Sequence, residues 1–203
     1  MKLVDLHPKA RPGGRPAGLR LVLSVALMLL AMTAGTAVAQ TPASKEYQIK
    51  AAFLFNFLQF IEWPPTTFSN AAAPLRIGVL GDNPFGKALD ETVKNETIRS
   101  RGLAVKYSRR LEDVDDCQLI FISKSEKGRL VELLSKLNSR EKLIVSEIEG
   151  FARRGGMINF YLEGTKVRFE INQEAAQRKG LKISSQLLSL GKIVKSETPK
   201  EVK

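Results

Sequence analysis

Four places in this chain gather residue types that can hold a ligand or a partner. Asp82 and Asn83, followed by Phe85, sit in the glycine-flanked turn Gly81–Gly86, just after an apolar run. Ser123 closes a second apolar run, Leu119–Ile122. Arg153-Arg154-Gly155-Gly156 puts two charges and two flexible residues ahead of a third, and Cys117 follows Asp115 and Asp116. Polar groups at strand ends concentrate hydrogen-bond donors, and arginine suits carboxylate or phosphate. The first turn is not a phosphate cradle, since neither GxGxxG nor GxxxxGK[ST] is present. Each place also has a plainer reading: Asp82 and Asn83 as turn and capping residues, the arginine loop as a solvated turn. Adjacent acids such as Asp115-Asp116 in a loop define no catalytic geometry.

Composition excludes much chemistry. The single histidine is His7, inside the leader described next. Histidine general bases, Ser-His-Asp and Cys-His arrangements and histidine-ligated zinc are therefore ruled out for the exported chain. No catalytic residue, metal site or cofactor is expected. Cys117 is alone, so no internal disulfide can form; neighbouring acids disfavour its thiolate, and the apolar run it opens suggests packing. An intermolecular redox contact through Cys117 is the alternative.

The first 39 residues read as a signal peptide. Lys2, Lys9, Arg11, Arg15 and Arg20 form a positive region, Leu21–Ala31 is almost unbroken apolar sequence, and Ala37-Val38-Ala39 fits a cleavage site before Gln40. The apolar run is shorter than the roughly 20 residues a membrane span needs, although an uncleaved anchor is the alternative. No cysteine follows it and no arginine pair precedes it, which favours the general secretory route. The expected destination is the periplasm. Removing residues 1–39 takes away five basic residues and one acidic residue, leaving 27 against 20 and a net charge of +7. In an exported protein such a surplus points to acidic protein surfaces, anionic headgroups or wall polymer rather than nucleic acid. The charges are scattered, so plain solubility also accounts for them.

The periodicity positions these residues. Lys45–Trp63 predicts a helix apolar over most of its circumference, capped by Ser44 or Thr41 and stopped by Pro64-Pro65. Strands follow at Pro74–Leu80, Leu103–Tyr107, Cys117–Ser123 and Leu143–Val145, with helices from Lys87 and Ser125 between them and a charged turn over 95–101. Met157–Leu162 and Val167–Asn172 make a hairpin around Glu163-Gly164-Thr165, with Val167, Phe169 and Ile171 inward and Arg168, Glu170 and Asn172 outward. A helix through Ala175-Ala176 stops at Gly180, a last helix covers Ile183–Val194, and Lys195–Lys203 is a charged tail expected to be disordered. That order implies one three-layer, Rossmann-like α/β domain over 40–194, with a mixed, mostly parallel sheet and a C-terminal antiparallel hairpin.

Several blocks resemble the YfiR family of exported bacterial proteins: Tyr47-Gln-Ile-Lys-Ala-Ala-Phe with Phe60-Ile-Glu-Trp-Pro, Leu75-Arg-Ile-Gly-Val-Leu-Gly-Asp-Asn-Pro-Phe-Gly, Cys117-Gln-Leu-Ile-Phe-Ile-Ser, Gly150-Phe-Ala-Arg-Arg-Gly-Gly-Met-Ile-Asn-Phe, Val167-Arg-Phe-Glu-Ile-Asn and Gly180-Leu-Lys-Ile-Ser-Ser-Gln-Leu-Leu. The resemblance implies a periplasmic, non-catalytic, commonly dimeric domain. It also implies binding to the periplasmic sensory region of a YfiN-type diguanylate cyclase, which inhibits the enzyme and lowers cyclic di-GMP. An OmpA-like outer-membrane protein of the YfiB type is implied as a second partner. Family members often pair the cysteine matching Cys117 with one from the first strand; here that strand offers Ile77 and Gly78. Beside the inhibitor reading stands another, a receptor for an anionic metabolite or nucleotide built from the Asp82-Asn83 turn, Ser123 and the Arg153–Gly156 loop.

Overall fold

A computed structural model describes residues 42–68, 70, 72–137 and 141–197. The expected signal peptide, residues 1–39, and positions 198–203 lie outside the described residues. Helix α1 (Pro42–Phe60) leads into β1 (Ile61–Glu62). Then follow β2 (Leu75–Leu80), α2 (Ala88–Val93), β3 (Thr97–Ile98), β4 (Arg101–Ser108), β5 (Leu119–Ile122), α3 (Leu130–Leu137) and β6 (Leu143–Ser146). The chain ends with β7 (Ile158–Glu163), β8 (Lys166–Ile171), α4 (Gln173–Gln177), β9 (Lys182–Ile183), α5 (Ser185–Leu190) and β10 (Lys192–Ile193). No helix among the described residues is long and apolar enough to cross a membrane.

The main sheet has eight strands in the order β10-β8-β7-β6-β5-β2-β4-β3. Strands β4, β2, β5, β6 and β7 run parallel, and β8 is antiparallel to β7. This is a mixed, mostly parallel α/β sheet. Strands β2, β5 and β6 are buried along nearly their whole length, as expected of central strands covered on both faces. From β2 the chain steps one way to β4, then back across to β5 and onward to β6. Right-handed crossovers therefore place α2 and α3 on opposite faces. Helix α3 seats Leu130, Leu133, Leu134 and Leu137, spaced i, i+3, i+4 and i+7, in the core.

Helix α1 covers the other face. Its Phe53 and Phe57 pack on Phe169 with ring centroids 5.2 and 5.1 Å apart, and Phe57 stacks on Phe160 at 5.6 Å. The hairpin supplies this surface because Ile158, Phe160 and Leu162 pair across the ladder with Ile171, Phe169 and Val167. Cross-strand partners share a face. The connection is two residues long, with Gly164 at φ +61° in its first position, as a type II′ turn requires.

Several predicted boundaries move, each for a tertiary reason. Helix α1 ends at Phe60 rather than Trp63, because Ile61 and Glu62 form a small antiparallel ladder with Ile183 and Lys182. Ser44 lies inside the helix, not at its cap. The charged turn over 95–101 contains β3, folded back on β4 through Arg99 and Ser100, both at positive φ. The helix predicted from Ser125 begins as a 3-10 turn, Lys124–Arg129, before α3. Asn172 points inward, not outward: it is fully buried, its side chain caps α4 at the Ala175 amide, and its Nδ2 donates to Ala152 O.

The last predicted helix breaks after Leu190, and β10 joins β8 in parallel. Gly191 sits at the break because a Cβ there would stand 2.6 Å from the Phe169 ring. The first part of the predicted disordered tail is docked. Ser196 accepts from Asn172 Nδ2 at 2.8 Å, and the Glu197 amide donates to Arg153 O at 2.8 Å.

Candidate functional site

The buried polar residues concentrate at one end of the sheet. Ser123 and Glu126 follow β5, Ser146 ends β6 with Glu147 just after it, and Asn159 lies on β7 opposite Ser146. In open α/β sheets ligands bind outside the carboxyl ends of the strands, where the winding reverses. Here the reversal falls between β2 and β5, and the residues singled out from sequence divide into two groups along that edge.

Asp82, Asn83, Phe85 and Ser123 form the first group, at the reversal itself. Asn83 shapes the turn: its Oδ1 accepts from the Phe85 amide at 2.9 Å and its Nδ2 donates to Gly86 O at 3.0 Å. Phe85 is buried edge-on against Phe121, centroids 4.9 Å apart, and so packs rather than binds. The Ser123 amide continues the sheet by donating to Leu80 O. Asp82 is exposed, paired with Arg109 at 2.5 Å, and its amide donates to Ser125 Oγ at 2.9 Å. The crevice above Gly81 is filled from within. A Cβ at Gly81, whose φ is +99°, would lie 2.4 Å from Ser125 Oγ and 2.7 Å from Glu126 Oε1. Arg129 in turn pairs with Glu126. The chain's own hydroxyl and carboxylate pack directly over this turn.

The second group is the loop after β6. Phe151 is fully buried and Gly156 lies under its ring, so close that a Cβ would meet Phe151 Cε1 at 2.2 Å. This packing fixes the loop and sends Arg154 into solvent while Arg153 lies half-buried. Arg153 meets Glu170 at 3.5 Å and Glu197 at 3.7 Å. It also lines a cavity of about 790 Å³ together with Glu147, Glu149, Glu170 and Lys192. Gly155 adopts φ +100°, a conformation glycine reaches without strain.

Between the groups lies a cluster that sequence reasoning passed over. Lys50 on α1 is buried against the carboxylates of Glu46, one turn earlier, and Glu147. Tyr47 donates to Glu147 at 2.9 Å and its ring meets Phe85 edge-on at 5.6 Å. Burial, then the charge of Glu147 and its hydrogen bond, push the Tyr47 hydroxyl pKa well above the ordinary tyrosine value. The available signal was Lys50 itself, a cation in a helix otherwise apolar almost all round, with Tyr47 one turn before it on the same face.

At the opposite end of the sheet, Asp115 and Asp116 are tied to separate cations: Asp115 to Lys142 at 3.8 Å, Asp116 to Lys106 at 2.8 Å and Arg76 at 3.5 Å. Burial alone would raise the Asp116 pKa, but hydrogen bonding and charge from Lys106 outweigh it and hold the carboxyl below its usual value. Cys117 is 1 % exposed, so in the folded chain its sulfur is not presented to another molecule. Burial, then the Asp116 charge, pushes its pKa up to about 12. Among the described residues no group of three or more His, Cys, Asp or Glu could hold a metal ion.

The class defined by this architecture is an open, doubly wound α/β domain with a polar seam along its carboxyl edge. The chain belongs to the YfiR/HmsC-like family, whose model matches residues 47–192, and that family is a regulatory one tied to diguanylate cyclase signalling. A search of curated proteins returns no match. Among solved structures, a conserved domain protein from Vibrio cholerae is similar at a TM-score of 0.52 and 10% identity, covering 73% of this chain and 60% of that one. The ABC domain in complex with L-Trp from Streptococcus pneumonia gives a TM-score of 0.45 at 11% identity, covering 76% and 62%. The chain thus spans under two thirds of the length of these structures, and the first likeness concerns the fold alone.

Proposed function

We propose that this chain is an exported, periplasmic regulator that binds the periplasmic sensory region of a YfiN-type diguanylate cyclase and holds the enzyme inactive. Lower cyclic di-GMP follows, with its effects on biofilm and motility. What supports the reading is the family match, which runs from the first turns of α1 to β10. An OmpA-like, YfiB-type protein that sequesters the regulator, and a homodimer as the working form, belong to the same proposal.

The function is exerted by contact, not by turnover, so the test is binding. The purified chain is titrated with the periplasmic segment of a diguanylate cyclase encoded beside it, and cyclic di-GMP is measured in cells with and without the gene. Saturable binding together with a rise in cyclic di-GMP on deletion is expected. Unchanged cyclic di-GMP and no binding by folded protein would overturn the proposal.

A further inference from the structure

The side of β7, β8 and β10 turned away from α1 holds a cavity. Asn159, Tyr161, Glu170 and Lys192 line the cavity there, between the loop after β6 and the 3-10 turn Lys124–Arg129. Its volume, about 790 Å³, falls within the range of roughly 300–1,000 Å³ typical of small-molecule sites. Unlike the crevice at Gly81, it is not filled by the chain.

Its cations stand in two places. Lys124 and Lys127 come from the 3-10 turn, where residues three apart eclipse one another, so both ammonium groups rise from one side of the turn. Both are exposed, and neither ammonium group has an ion pair or hydrogen bond among the described residues. Two like charges so placed repel, and an anion seated between them removes that cost. Across the cavity, Arg153 and Lys192 share Glu170 at 3.5 and 3.8 Å. Arg153 also meets Glu197, an exposed carboxylate brought by the C-terminal segment and held at only 3.7 Å. An anionic oxygen group already rests on Arg153, and its exposure makes it exchangeable.

We propose that this cavity binds a small organic dianion, one charged group seated between Lys124 and Lys127 and the other displacing Glu197 from Arg153. Carboxylate and phosphate share the required chemistry, and arginine accepts either through paired N–H donors. The site is independent of cyclase binding, so its failure would leave the proposed function standing.

The test is calorimetric titration of the full chain with succinate and, separately, inorganic phosphate, with acetate and sodium chloride at matched ionic strength as controls. Binding of succinate or phosphate without binding of the controls is expected, and the stronger of the two shows which group the site prefers. Lys124→Ala/Lys127→Ala should weaken that binding at least tenfold, and Glu197→Gln should strengthen it about threefold. Lys87→Ala/Lys94→Ala removes the same charge elsewhere and should leave affinity within twofold. Equal response to acetate or chloride, equal loss in both double variants, or no binding of either dianion overturns the site.

Discussion

Lys50 and Glu147, 97 residues apart, form an ion pair in which each side chain is only 2 % exposed. One comes from the first helix, the other from the loop that carries Arg153, so the pair joins α1 to the carboxyl edge of the sheet. Removing Lys50 leaves the Glu147 carboxylate buried without its cation, and removing Glu147 leaves buried Lys50 with Glu46 alone; breaking such a pair costs about 3–5 kcal/mol. Lys50→Ala and Glu147→Ala should each lower unfolding free energy by about that much in urea titrations. Lys50→Met/Glu147→Leu replaces both charges with apolar volume and should cost less than either single change. A double variant as damaging as the two singles combined would show that the residues do not act as a pair.

Alkaline pH should destabilise the fold in a defined order. Cys117 is shifted from 9.0 to about 12, and burial followed by hydrogen bonding to Asp90 raises Tyr107 as burial and Glu147 raise Tyr47. A raised folded-state pKa means the folded chain holds its proton harder than the unfolded one. The stabilisation is therefore complete below the unfolded values and is lost as pH climbs toward the folded ones. Urea midpoints should begin to fall near pH 9 and fall faster above pH 10. In Cys117→Ala the overall stability is lower, but the first part of the decline disappears and the fall begins near pH 10. Identical pH profiles for the two proteins would refute the assignment to Cys117.

The parts of this fold legible in sequence are those with internal periodicity. Val167, Phe169 and Ile171 alternate, and the four leucines of α3 repeat with helical spacing, so each announces its face without knowledge of a partner. The two-residue strands Ile61–Glu62, Thr97–Ile98 and Lys192–Ile193 have no period to read; the first and last exist because a distant backbone pairs with them, and the middle one because the chain folds straight back on Arg101 and Gly102. The same division holds at the site. Asp82 and Arg153 follow strands, and strand ends are where such folds present side chains. Lys50 needs Glu147, and Lys124 needs Glu170 and Lys192 across the cavity, relationships that register and topology create and local sequence does not contain.

Arg153 and Arg154 are adjacent but should respond differently to charge reversal. Arg154 is exposed, with no ion pair among the described residues, so Arg154→Glu should leave stability within about 0.5 kcal/mol. Arg153→Glu sets a third carboxylate beside Glu170 and Glu197 and should lower the melting temperature by several degrees. If the loop meets an acidic surface on the cyclase segment, Arg154→Glu weakens that binding about tenfold while the protein stays folded. Undiminished binding by Arg154→Glu moves the interface away from this loop.

Gly78 is the position on β2 that faces Cys117. A Cβ built there lies 3.1 Å from Cys117 Sγ, whereas the neighbouring Ile77 is buried on the opposite face of the strand. The same Cβ would come within 2.8 Å of Val114 Cβ, so Val114 must shift to admit any side chain. Gly78→Ala should therefore destabilise the protein by about 1–3 kcal/mol. Reduced Gly78→Cys carries the same penalty, but on oxidation it should close a disulfide with Cys117 across a loop of about 40 residues. Such a loop is worth about 4 kcal/mol of unfolded-state entropy. The oxidised variant should show no titratable thiol and should melt above its own reduced form. Two free thiols persisting after oxidation of folded protein would mean that Val114 does not yield, and that this β2–β5 packing admits no bridge.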